Sequence, residues 1–235
     1  MADGEGVALR PDFLGRFFTL FETWSIINQH LNKKINKDKF NLMAQVPALF
    51  ELTEQQAENS FAAGESQAVS GRTTKFGNEK ELRFRLQGGT QFKIILTFLS
   101  LSEVARRRGY LFAKRPGGTA SDRADMIRAL NQDIARKQKQ VFLEAVVKDY
   151  SNPQGEDNTP NVGFTLVTTD GQSIDTQNRV DLDFGVGRMS TDQAAQVIFP
   201  LYKTDGTPYL TTNMDSFTVA VGTDSAGDEA VYPLR

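Results

Sequence analysis

Across residues 82–99 the chain alternates apolar and polar side chains with a period of two. Leu82, Phe84 and Leu86 share one face, with Arg83, Arg85 and Gln87 opposite. Beyond Gly88 and Gly89, Phe92, Ile94, Leu96 and Phe98 share a face, with Gln91, Lys93, Ile95 and Thr97 opposite. That period is the signature of a half-buried strand, and paired glycines supply the positive φ angles of a tight turn. A two-residue loop would set Leu86 against Gln91 and mix the faces. A three-residue loop over 88–90, with a bulge at a glycine, sets Leu86 opposite Phe92, Phe84 opposite Ile94 and Leu82 opposite Leu96. Burial selects the matched register, because a slip of one residue turns every side chain over. The same register brings Arg85 to Lys93 on the outer face, where like charges cost stability. Either water solvates that face or an anion sits on it.

A second periodicity runs over 11–35. Phe13, Phe17, Leu20, Trp24, Ile27 and Leu31 recur at spacings of four and three, and Leu14, Phe18 and Phe21 widen the stripe. This predicts a helix opened by Pro11 and Asp12. It is either a core helix packed on a sheet or, given its aromatic content, an oligomer contact through Phe13, Phe17, Leu20, Phe21, Trp24 and Ile27. A membrane-surface helix would want a basic face, which the early turns lack. Pro47 divides the apolar run 40–52 into two short pieces. Thr53 and Gln56 form a capping-box pattern ahead of a helix over 53–63, and the Gly- and Ser-rich stretch 64–78 reads as a mobile loop.

After the hairpin, 102–109 reads as a short helix closed by Gly109, 110–113 as a strand and 115–119 as a turn. Ser121 is the expected cap of a helix whose stripe is Met126, Ile127, Leu130 and Ile134. The β-branched content of 141–147 leans to a strand. From 152 on, Gly, Asp, Thr and Val dominate. Residues 164–171 and 199–206 share the frame Phe-x-Leu-x-x-Thr-Asp-Gly, and 217–224 echo it. Asp-Gly between alternating runs signals a hairpin, so strands are expected over 162–168, 179–184, 196–202 and 216–221. Pro200 should place its strand at an edge or a bulge.

Charge divides the chain unevenly. Residues 1–71 carry 6 basic and 9 acidic side chains, residues 72–148 carry 17 and 7, and residues 149–235 carry 4 and 13. A basic middle can meet the acidic end, a neighbouring copy or a polyanion. The absence of cysteine removes disulfides, thiol nucleophiles and thiolate metal sites. No apolar run is long enough to span a bilayer, and the start lacks the pattern of a signal peptide. The expected location is a virion or the cytoplasm.

Little in the sequence points to catalysis. His30 is the only histidine, which is too few for a triad or a histidine metal site. Asp181 and Asp183 share one strand face without the rest of a calcium loop, and Asp224, Asp228 and Glu229 are in the same position. The basic residues Arg83, Arg85, Lys93, Arg106, Arg107, Arg108, Lys114 and Arg115, with Arg123 beyond them and Tyr110 and Phe112 among them, could track a phosphate backbone and stack bases. No Walker, zinc-finger or RNA-recognition pattern accompanies them.

These features predict an α+β fold. Residues 1–10 form a flexible start. Residues 11–150 form a mixed region of helices with a central antiparallel hairpin, and 151–235 form an acidic, β-rich antiparallel sheet or small sandwich. The expected function is non-enzymatic, with no metal and no cofactor: a structural protein that self-assembles with further copies or other particle subunits, as in a bacteriophage capsid or tail. The alternative is a nucleic-acid-binding module using the basic region 83–123.

Overall fold

The computed structural model of the protein describes residues 45–71, 75–153, 160–184 and 194–234. These residues form an α+β fold of three α-helices and eight strands in two antiparallel sheets. The helices are α1 (Glu54–Val69), α2 (Leu101–Ala113) and α3 (Ala120–Lys137). The first sheet has the order β1 (Asn78–Arg85), β2 (Gln91–Phe98), β3 (Gln140–Ser151), β6 (Ala195–Pro200). The second has the order β5 (Ser173–Asp175), β4 (Gly163–Thr168), β7 (Ser216–Gly222), β8 (Gly227–Pro233).

The hairpin β1–β2 keeps its faces matched, but its register differs from the expected one. Phe84 pairs with Phe92, Leu82 with Ile94 and Arg83 with Lys93. The loop is still three residues, moved back one place to Gln87–Gly89. The Leu86 N–H donates to Thr90 O at 2.8 Å and the Gly89 N–H to Leu86 O at 3.3 Å, so Leu86 closes the turn and leaves the ladder. Stacking of the Phe84 and Phe92 rings, with centroids 4.9 Å apart, favours this register. Both glycines of the loop have positive φ.

The same pair of turn bonds recurs in the repeated frame. Thr168 N–H donates to Gln172 O at 3.0 Å and Gly171 N–H to Thr168 O at 2.9 Å. Lys203 N–H donates to Thr207 O at 2.8 Å and Gly206 N–H to Lys203 O at 3.0 Å. In both copies the Phe and Leu of the frame are buried and the glycine has positive φ.

The two sheets face each other across one core. Phe98 of β2 lies against Phe50, Phe217 and Tyr232, with ring centroids 5.3–5.8 Å apart. The fully buried Tyr232 donates its hydroxyl to Leu96 O at 2.8 Å, tying β8 to β2 across the sandwich. The acidic C-terminal part supplies β6 to the first sheet, where Pro200 sits in an edge strand as expected. Asn178 and Gln177 cover that edge. Gln177 N–H donates to Ile198 O at 2.7 Å, and the Asn178 amide donates to Gln196 O and accepts from Ile198 N–H. An edge covered in this way resists pairing with a foreign strand.

Several local expectations are corrected. Thr53 and Gln56 do cap α1 reciprocally, but the helix runs on through the expected loop to Val69. Helix α2 does not stop at Gly109, and 110–113 are helical rather than a strand. The cause is shared: Gly64 and Gly109 lie where α1 and α2 cross. A Cβ on Gly64 would stand 1.9 Å from Arg106 O, and one on Gly109 would stand 1.9 Å from Phe61 O. The cap of α3 is Thr119 with Asp122, not Ser121. Residues 179–184 make no strand. There Arg179 pairs with Asp181 at 2.7 Å, and Phe184 packs edge-on to Phe92 and Tyr150. Strands β5 and β8 were not expected; 141–147 do lie in a strand.

Candidate functional site

Helix α2 presents two faces. Ala105 and Leu101 pack with Ala57, Phe61, Leu130 and Ile134 into a cluster shared by the three helices. Val104 packs with Leu99 and Phe142 over the outer side of the first sheet. Ion pairs fasten each junction. Arg123 on α3 reaches Glu65 on α1 at 2.8 Å, Arg108 on α2 reaches Asp133 on α3 at 2.7 Å, and Arg107 on α2 reaches Glu144 on β3 at 2.6 Å.

Between α2, the last turn of α3 and the outer side of the first sheet lies a groove of about 820 Å³. Its floor is apolar, formed by Leu99, Val104, Leu111, Phe142 and Ile198. Its cationic lining is Arg107, Arg108, Arg136, Lys137 and Lys139, against the carboxylates of Asp133 and Glu144. Lys137 is half-buried. Its ammonium stands 3.3 Å from the centroid of the Phe142 ring, a cation–π contact. Burial holds its pKa below the ordinary lysine value. Among the described residues it has no ion-pair partner.

The structure distributes the eight basic residues singled out in the sequence over separate places. Arg83, Arg85 and Lys93 lie on the hairpin. There the Arg83–Lys93 pair, not Arg85–Lys93, is the like-charge pair, and the anion facing it comes from the chain itself. Glu81 lies 2.7 Å from Arg83 and 3.7 Å from Lys93, while Asp149 lies 2.8 Å from Lys93. The hydrogen bond between Lys93 and Asp149 raises the lysine pKa and lowers that of the aspartate. Asp149 has φ of 54° at an irregularity in the β2–β3 ladder, which aims its carboxylate at Lys93. Arg106 pairs with Glu103 at 3.3 Å and covers the Phe76 ring. Lys114 lies over Tyr110, and Arg115 is exposed in the following turn. Of the eight, Arg107 and Arg108 alone line the groove. Arg136, Lys137 and Lys139 were missed in the sequence because they read as ordinary cations at a helix C-terminus; the spacing of Lys137 to Phe142 across a turn was the available signal.

The other candidates are quickly placed. Phe13, Phe17, Leu20, Phe21, Trp24, Ile27 and His30 lie outside the described residues. Asp181 and Asp183 are exposed, as are Asp224, Asp228 and Glu229; the Asp228 carboxylate accepts Arg83 N–H at 3.3 Å. Among the described residues no group of His, Cys, Asp or Glu is arranged to hold a metal ion, and no helix is long and apolar enough to cross a membrane.

No family model matches the chain, and no curated protein matches it. A crystal structure of a DUF4426 family protein from Pseudomonas aeruginosa aligns with 65% of this chain and 93% of its own, at 11% identity and a TM-score of 0.25. A likeness of that grade carries no argument about fold or function.

Proposed function

We propose that the chain is a non-enzymatic structural subunit that assembles with further copies or with other particle components, such as those of a virion. The observation that carries this reading is the way the described elements use up one another's apolar faces. The inner faces of the two sheets meet in one core, α2 covers part of the outer side of the first sheet, and the three helices share a cluster. The aromatic stripe of 13–27, which lies outside the described residues, is the segment we assign to the assembly contact on the strength of its sequence pattern. The nucleic-acid alternative has less support. Five of its eight basic residues (Arg83, Lys93, Arg106, Arg107 and Arg108) are paired with the chain's own carboxylates, which leaves few free charges to release counterions from a phosphate backbone.

Light scattering on the full chain tests the reading. The expected result is a mass that rises with concentration and falls to the monomer in the Phe17→Glu, Trp24→Glu double variant. A wild type that stays monomeric at every concentration and salt level defeats the reading. Tight, salt-dependent binding of an oligonucleotide by that monomer would favour the alternative.

A further inference from the structure

We propose that the groove between α2, α3 and the first sheet binds a small organic anion with an apolar body, its head on Lys137 and Lys139 and its body on Leu111 and Ile198. This goes beyond the assembly reading and does not depend on it.

The charge balance of the lining is the first argument. Five cations face two carboxylates. The carboxylates are already taken, Glu144 by Arg107 and Asp133 by Arg108 and Arg136. Lys137 and Lys139 therefore carry the excess. Lys137 is held in place by the Phe142 ring, half out of water. Asp133 and Glu144 act on Lys137 without pairing with it directly, and a bound anion adds a counter-charge in direct contact, in a setting at Lys137 drier than the surface, where a charge-assisted hydrogen bond is worth more. The arginines add to this. Each guanidinium has five N–H donors in a fixed fork, and Arg107 uses only Nη1 on Glu144 and Arg108 only Nη2 on Asp133.

The floor is the second argument. Leu111 is 54% exposed and, with the partly buried Ile198, gives the groove its accessible apolar lining. A purely inorganic anion would leave that surface unused. The volume, about 820 Å³, falls in the range of roughly 300–1,000 Å³ typical of small-molecule sites. A nucleic acid fits the lining less well. Phe142 is the one aromatic ring there, and Lys137 already occupies a face of it, so no base can stack on that face.

Fluorescence titration with anilinonaphthalene sulfonate, an aromatic sulfonate, tests the proposal on the full chain. The expected result is saturable one-site binding, displaced by decanoate and not by inorganic phosphate at the same concentration. Lys137→Met keeps the stem over Phe142 and removes the charge; it should weaken decanoate binding by about tenfold, the usual scale for one charge-assisted contact. Leu111→Glu, at an exposed position, should weaken it by putting a carboxylate on the apolar lining. Arg85→Gln, on the remote hairpin, should leave it unchanged. The proposal is overturned by unsaturable binding, or by wild-type affinity in both groove variants. Displacement by phosphate and a short oligonucleotide but not by decanoate also overturns it, in favour of a polyanion site.

Discussion

Tyr232 concentrates several demands on one side chain. It is fully buried, stacks on Phe217 at 5.3 Å, and gives its hydroxyl to a backbone oxygen of the opposite sheet. Burial raises its pKa well above the ordinary tyrosine value, so the hydroxyl is a neutral donor near neutral pH. Tyr232→Phe keeps the ring and removes only the bond to Leu96 O. A buried neutral hydrogen bond contributes about 1 kcal/mol net, so the midpoint of thermal unfolding should drop by roughly 2–4 °C. An unchanged midpoint would mean that the sandwich is held by packing alone.

Among the elements, the crossing of α1 and α2 decides how the helical layer sits. Two opposed effects act on Gly109→Ala. Alanine is better than glycine in a helix interior by about 1 kcal/mol. The added Cβ, however, would fall 1.9 Å from Phe61 O, and backbone cannot step aside as a flexible side chain can. Overpacking of this kind costs about 1–3 kcal/mol and more against rigid backbone, so the clash outweighs the gain and urea unfolding should show a net loss of about 1–2 kcal/mol. Gly117→Ala is the control. It sits at φ of 80° with open space around it, so it should cost only the left-handed penalty of about 1 kcal/mol. A Gly109→Ala protein more stable than wild type would show that the helices can separate without loss. The same glycines explain how much was readable beforehand. Period-two alternation located β1, β2, β4, β6 and β7, and Thr53 with Gln56 announced the start of α1. Gly64 and Gly109 looked like a loop and a cap because a helix-breaking residue and a helix-crossing residue are spelled alike. Strand β8 was hidden because Asp228 and Glu229 mask the alternation of Ala230 and Tyr232. The groove was hidden because its lining comes from the β2–α2 connection, α2, α3 and the turn after it, β3 and β6, which only the folded chain brings together.

For the whole molecule, the acid limb of stability follows from four aspartates at four separate places: the first turn of α3, the end of β3 and the two turns of the repeated frame. Hydrogen bonds from Thr119 lower the pKa of Asp122, the bond to Lys93 lowers Asp149, Thr168 with Gln172 lowers Asp170, and Thr207 lowers Asp205. Each folded-state value lies below the ordinary 3.8. Between the two values the unfolded chain binds more protons than the folded one, so stability rises with pH there. The contribution is complete above 3.8 and is lost as pH falls through the lowered values. Lys93 acts at the other end: its raised pKa gives stability that fades as pH climbs above 10.5. Lys137 has the opposite sign, since its lowered pKa disfavours folding in the charged form and the penalty lifts as pH rises toward 10.5. The urea midpoint should therefore be flat near neutrality and decline below about pH 4. General positive-charge repulsion also grows in acid, but salt screens it, whereas hydrogen bonds within a turn respond little to salt. Asp170→Asn with Asp205→Asn keeps an acceptor oxygen in both copies of the repeated turn and removes the proton sites. That double variant should unfold with a shallower acid slope than wild type at high salt. Equal slopes would place the acid sensitivity outside these two turns, in Asp122, Asp149 or the collective charge of the molecule.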